Sequence, residues 1–245
     1  PMNSPEDREI THYLYGGDAN YRLKQEIVLG IGGTRMLEAL GFRVRKYHMN
    51  EGHSALLTLP LLQRFAYQPQ EVHAGEVPYD IPHLRDSCIF TTHTPVASAH
   101  DQFDYGMVER LLGDSHELEI VRQLNGHPQL NLTHVALSLS EYINGVAKRH
   151  AEVSQQLYPE YRVHAITNGV HPCTWCHPRF AQLFNTYASG WHFESDALVR
   201  ADRIPDDSVW EAHSAAKQEL IERVAAATGV IFKPDVPILG FARRM

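Results

Sequence analysis

Apolar positions along the chain recur at helical spacing in some stretches and in short runs in others, and the two patterns alternate from one end to the other. Asp18 stands where it can cap a helix over 18–40. Phe42, Val44 and Tyr47 mark a strand over 42–49. Asn50 then stands where it can cap a helix over 51–65, with Leu56, Leu57, Leu59, Leu61 and Leu62 as a broad apolar face and Pro60 as a kink or early stop. The pattern predicts a strand over 87–92, helices over 106–113, 114–124 and 133–157, and a strand over 163–167. Asp114, with Glu117 three residues on, reads as a capping arrangement. Helices follow over 178–187 and 206–228, and the apolar run 236–242 reads as a buried strand. Strands and helices alternating at this spacing predict an α/β fold with a parallel sheet. The stretch 168–178, with two prolines, a glycine and no periodicity, marks a boundary between this α/β part and a second part that is only starting when the sequence stops.

Composition narrows the class. A length of 245 residues allows one domain or two. At 43% hydrophobic and 21% charged residues the chain can build an ordinary core and is not compositionally disordered. The net charge of −7, with no Lys/Arg block, argues against nucleic acid and against an anionic membrane surface. No apolar run approaches the roughly 18–20 residues of a membrane span, and the polar, acidic start is no signal peptide. Three cysteines are too few for a disulfide scaffold and fit a reducing compartment. The expectation is a cytoplasmic globular chain. It opens on Pro1-Met2 and stops just after a strand-like run, which reads as a piece cut from a longer protein.

Candidate chemistry collects where predicted strands end. Asn50, Glu51 and His53 follow the first, His93 and Thr94 the second, Asn168 the third, and Arg243 and Arg244 the last. In open parallel sheets, ligands bind beyond the carboxyl ends of the strands. Asn, His and Glu suit a polyhydroxylated ligand, and an arginine pair suits an anion. Each residue alone reads equally well as a helix cap; the set points to a site. Two further signals are set aside. Cys173-Thr-Trp-Cys176-His177 has the spelling of a haem attachment and of half a zinc site, with His164 and His171 near in sequence, but the chain has no second C-x-x-C and no export signal. No metal is expected, and Thr174-Trp175 reads as packing a domain junction. Gly30-Ile-Gly32-Gly33 lacks the last glycine of a dinucleotide fingerprint, since Arg35 stands there, and reads as small residues allowing close helix packing.

Several motifs come in a set order: Tyr15-Gly-Gly-Asp18, Arg22-Leu-Lys-Gln-Glu26, His48-Met-Asn-Glu-Gly-His-Ser-Ala55, Phe90-Thr-Thr-His-Thr-Pro-Val96, Asn144-Gly-Val146, Ile166-Thr-Asn-Gly-Val-His171, Thr174-Trp175 and Gly240-Phe-Ala-Arg-Arg244. The series resembles the α-glucan (glycogen, starch, maltodextrin) phosphorylases of the shorter bacterial and archaeal branch, from about Leu14 to Met245. The resemblance implies two Rossmann-like domains of the GT-B glycosyltransferase type, only part of each present. Residues 1–170 would be the later part of the glucan-side domain, and 171–245 the start of the domain that binds pyridoxal 5′-phosphate. It implies a retaining phosphorolysis in which inorganic phosphate cleaves the non-reducing end of an α-1,4-glucan to give glucose 1-phosphate, with the cofactor acting through its phosphate group.

Residue by residue, the resemblance makes His93 and Arg244 catalytic. Asp18 matches the acidic residue of a gate loop, with Ala19 where the longer branch has Asn. Asn50, Glu51 and His53 match a polar cluster below the anomeric carbon, with Glu51 in place of Asp. Asn168 matches the asparagine that bonds the sugar's 6-hydroxyl. Arg244 matches the phosphate-binding arginine, and Arg243 stands where a lysine is usual. The lysine that attaches the cofactor would fall beyond Met245, so the chain is expected to have little activity alone. The complete enzyme could assemble as a homo-oligomer. Two alternatives remain at this point: a nucleotide-sugar glucan synthase of the same architecture, and a non-catalytic glucan-binding module.

Overall fold

The computed structural model describes residues 3–14, 17–96 and 100–241. Contacts divide the chain into two compact units, Pro1–Asn168 and Gly169–Met245. The first unit runs α1 (Pro5–Arg8), α2 (Ala19–Ile27), a π-helical stretch (Val28–Gly32), α3 (Gly33–Ala39), β1 (Tyr47–Asn50), a 3-10 helix (Gly52–Leu57), α4 (Thr58–Arg64), α5 (Ile81–Ser87), β2 (Cys88–Thr92), β3 (Gln102–Phe103), α6 (Tyr105–Leu112), α7 (His116–Asn125), β4 (Leu130–Asn131), α8 (Leu132–Ser138), β5 (Tyr142–Gly145), α9 (Lys148–Leu157) and β6 (Val163–Ala165). The second contains α10 (Pro172–Trp175), α11 (Pro178–Tyr187), a 3-10 segment (Ser195–Arg203) and α12 (Asp206–Thr228).

The main sheet has the order β1-β2-β5-β6, and each neighbouring pair is parallel. β2 lies inside it, and Cys88, Phe90 and Thr92 on one of its faces are fully buried, as expected for a strand covered by helices. Leu56, Leu61, Leu62, Leu84, Leu132 and Leu137 pack into the same core. Apolar area removed from water, at roughly 25 cal/mol per Å², is the main term holding these layers together.

Asp18 caps α2 as its sequence position requires, its Oδ1 accepting the Tyr21 N–H at 2.8 Å, and the helical run continues through the π stretch to Ala39. Of the glycines at 30–33, Gly30 carries the packing. A Cβ there would lie 2.7 Å from the Leu57 backbone nitrogen, whereas one at Gly33 would meet nothing within 4 Å. Gly30→Ala is therefore expected to cost about 1–3 kcal/mol through overpacking, and Gly33→Ala to be neutral or mildly stabilising in a helix interior. Urea denaturation of the two variants checks this; equal midpoints would refute the close approach.

The structure corrects several sequence expectations. The helix expected over 133–157 is α8, β5 and α9. Tyr142-Ile-Asn-Gly145 is drawn into the ladder between β2 and β6, and that pairing overrides the local helical pattern. The strand expected over 42–49 starts only at Tyr47, the residue that pairs with Cys88 at the start of β2. Asn50 does not cap the next helix. It ends β1 in register with Thr91, and Glu51 takes the cap position without a side-chain cap bond. Pro60 sits in the first turn of α4, where a missing N–H is tolerated. The cap of α7 is Ser115, whose Oγ accepts the Leu118 N–H at 3.2 Å, and not Asp114.

In the second unit, α11 and α12 span the residues expected, and α12 ends on the left-handed Gly229. Trp191 is its buried aromatic, its Nε1 donating to Asn185 Oδ1 at 2.9 Å. Trp175, in the same unit, is 78% exposed. The run expected as a buried strand over 236–242 is not a strand in its described part: Leu239 and Phe241 are exposed, and no strand in the described part of this unit offers it a ladder. Ala242 lies outside the described residues.

Candidate functional site

The carboxyl ends of β1, β2 and β5 open onto a cavity of about 210 Å³ lined by His48, Asn50, Thr91, His93, Asn144, Ile166 and Asn168. Register builds it. Asn50 of β1, Thr91 of β2 and Asn144 of β5 are successive partners across the sheet, and His48 shares the face of Asn50 two residues on. His48 Nε2 lies 2.7 Å from the Thr91 hydroxyl, which donates to Asn144 Oδ1 at 2.9 Å. With that donor used, the hydroxyl accepts from His48, which puts the proton of a neutral His48 on Nε2. Thr91 and Asn144 are buried, so this network is a fixed polar floor and not a set of mobile surface groups.

Three of the residues singled out in the sequence, Asn50, His93 and Asn168, line this cavity together. Glu51 stands behind them. Its φ is +66°, a left-handed value unusual for a side chain of this size. Its N–H donates to Thr91 O at 2.9 Å, and its carboxylate accepts the backbone N–H of His93 in a short hydrogen bond. Glu51 thus brackets the exits of β1 and β2. Asp18 is exposed, with one carboxylate oxygen used in capping α2. Arg243 and Arg244 lie outside the described residues, as do Tyr15 and Gly16 of the Tyr15–Asp18 motif. His48, Thr91 and Asn144 were not among the site residues read from the sequence, since each sits inside a strand; the alternation of β1 and the strand register would have found them.

His53 faces a different group of side chains. Its Nδ1 lies 3.1 Å from Asp101 Oδ2 and 3.3 Å from Glu26 Oε1, and Arg22 reaches the same two carboxylates at 2.9 Å and 3.3 Å. Burial pushes the Glu26 carboxyl up to about 7, against the pull of His53. Its second oxygen is buried and meets no hydrogen-bond donor among the described residues. The Asp101 and Glu26 carboxylates raise the His53 imidazole to about 9. Burial opposes ionisation of Asp101, but hydrogen bonds from His53 and Arg22 outweigh it and hold that carboxyl well below the ordinary carboxylate range. The ligand atoms of Glu26, His53 and Asp101 lie within 4.8 Å of one another, a spacing a metal ion could use. With the Arg22 guanidinium already on both carboxylates and a proton held on His53, the charge a cation would supply is already in place.

These shifts have a signed consequence. The Glu26 contribution to stability is full below its ordinary value of 4.5 and lost as pH rises through about 7. That of His53 is full below 6.5 and lost as pH rises through about 9. Asp101 contributes above its ordinary value of 3.8 and loses that only in acid. The thermal midpoint is therefore expected to fall between about pH 5 and about pH 9, and Glu26→Gln to flatten the lower part of that slope. A midpoint that stays level or rises across this range would contradict the arrangement.

The C-x-x-C-H residues are held locally. His177 caps α11, its Nδ1 accepting the Arg179 N–H at 3.3 Å while Nε2 lies 3.2 Å from Glu219. Cys173 is exposed, Cys176 is partly exposed, and both are free thiols.

Fold and cavity define an α/β protein with a parallel main sheet and a cavity at the strand ends, floored by amide, hydroxyl and imidazole groups. By sequence the chain is similar to maltodextrin and glycogen phosphorylases. It is 38% identical to the maltodextrin phosphorylase of Thermococcus litoralis over 91% of its own length and 28% of that protein. It is 31% identical to the glycogen phosphorylase of Mycobacterium tuberculosis (strain ATCC 25618 / H37Rv), over 100% of the chain and 33% of that protein. It is also 31% identical to the glycogen phosphorylase of Aquifex aeolicus, over 99% of the chain and 40% of that protein. The chain thus spans between about a quarter and two-fifths of the length of these curated relatives. No family model matches it.

Proposed function

We propose that the protein to which this chain belongs is an α-glucan phosphorylase, in which inorganic phosphate cleaves the terminal α-1,4 bond of a glucan with retention to give glucose 1-phosphate. The observation that carries this reading is the cavity at the strand ends. It brings Asn50, His93 and Asn168 over the His48–Thr91–Asn144 floor, in a chain aligned along nearly its whole length with phosphorylases. Amide and imidazole groups on a fixed floor suit sugar hydroxyls, and a fixed polar wall stabilises charge that develops at the anomeric carbon without reorganising. His93 is read as facing that centre, held by Glu51 from behind, and Asn168 as bonding the 6-hydroxyl. Asp18 is read as the gate residue. Arg243 and Arg244 are read as the phosphate site, with Arg244 catalytic.

The two units are read as parts of two Rossmann-like domains, glucan-side through residue 170 and cofactor-side from 171. Pyridoxal 5′-phosphate enters only as the cofactor of such enzymes. The cavity lining has no lysine to meet its aldehyde, so these residues do not hold it. No helix among the described residues is long and apolar enough to cross a membrane. The site of action is read as the cytoplasm.

The test is incubation of the full-length protein with a maltodextrin and inorganic phosphate. The glucan should shorten by single glucose units only when phosphate is present. Lengthening that requires a sugar nucleotide, with no phosphate dependence, would refute the reading.

A further inference from the structure

We propose that Asp101 and Glu26, acting with Arg22, form a charged clamp that positions His53 and the first turn of α2, and through them Asp18 and the exits of β1 and β2, for the proposed phosphorolysis. The inference rests on that functional reading and assigns the two carboxylates as positioning residues, not catalytic ones.

Three separate segments carry candidate site residues, and the clamp joins all three. Asp18 caps α2, and Arg22 lies one turn on, its backbone N–H donating to Asp18 O at 3.0 Å. His53 lies three residues after Asn50 and two after Glu51, in the 3-10 helix that follows β1. Asp101 follows His93 by eight residues. One oxygen, Asp101 Oδ2, receives both cations, Arg22 at 2.9 Å and His53 at 3.1 Å. Asp101 is also tied to the body of the fold, its carbonyl accepting the Leu132 N–H at the start of α8 at 3.2 Å.

The charge balance explains why Asp101 matters most. Arg22 Nη2 lies only 3.0 Å from His53 Nδ1. With Nδ1 protonated this is an approach of two positive groups, which the Asp101 carboxylate beside both of them offsets. Glu26 reaches both cations, but at 3.3 Å and from the side of α2 alone. Without the Asp101 charge, the guanidinium and the imidazolium repel, and α2 loses its tie to the segment leaving β2. A small displacement of the groups around a reacting centre is enough to slow it severely.

The experiment uses the full-length enzyme with Asp101→Asn, Asp101→Glu and Arg22→Gln. Asp101→Asn is expected to lower kcat for glucose 1-phosphate formation at least roughly tenfold with little change in KM for phosphate. Asp101→Glu, which keeps the charge, should recover part of the loss. Arg22→Gln, which opens the clamp from the other side, should lower kcat as well, and the double variant should lose less than the product of the two single losses. Hydrogen exchange without substrate gives an independent readout, since amides at the start of α2 should exchange faster in Asp101→Asn than in the wild type or Asp101→Glu. Wild-type kcat and exchange in both Asp101→Asn and Arg22→Gln, in an active protein, would overturn the clamp. A wild-type protein that releases no glucose 1-phosphate would overturn the functional reading instead, whatever the exchange shows.

Discussion

His93→Ala and Asn168→Ala, each in the full-length enzyme, are expected to lower glucose 1-phosphate formation at least roughly tenfold, the scale of one lost transition-state interaction of about 1.4 kcal/mol. The two residues reach the cavity from different strands, His93 after β2 and Asn168 beyond β6, yet both line the same volume. Neither is buried, so truncation removes a group facing the ligand without opening a hole in the core. His93→Ala keeps the backbone N–H that Glu51 holds, which isolates the ring's contribution. Phe193→Ala is a fitting control, because its side chain is exposed and in the second unit. Normal rates in both the His93 and Asn168 variants would remove this cavity from the reaction.

Phe90→Ala is expected to cost about 3–5 kcal/mol of stability, the range for truncating a large aromatic in a packed core. Phe90 is fully buried on β2, paired in register with Met49 on one side and Ile143 on the other. It alternates with Thr91, so its ring lies on the face of the sheet opposite the polar floor, and its loss acts on packing and not on ligand contacts. Urea denaturation gives the cost directly. A loss below about 1 kcal/mol would mean that the sheet's underside is not packed as described.

The second unit's long helices were legible almost residue by residue, because α11 opens at Pro178 and α12 carries acidic residues in its first turn and Gly229 at its end. β5 was not. Its four residues adjoin two helices, and only its place between β2 and β6 decides their conformation. The site divides the same way. Asn50, His93 and Asn168 stand at strand exits, a position the sequence marks. Thr91 and Asn144 are polar residues inside strands, and their role depends on register. Arg22 and Asp101 are 79 residues apart, and no local pattern joins them. Glu51 was read as a sugar contact from its place at a strand exit and from the resemblance; its positive φ and its hold on His93 appear only in three dimensions.

The central claim is phosphorolysis, and phosphorus-31 NMR of the full-length protein with a maltodextrin and inorganic phosphate tests it most directly. The account predicts that the phosphate signal declines as α-glucose 1-phosphate grows, and that the product forms in the α configuration from the start. An unchanged phosphate signal while the glucan is hydrolysed or extended, or a β-configured product, would contradict it.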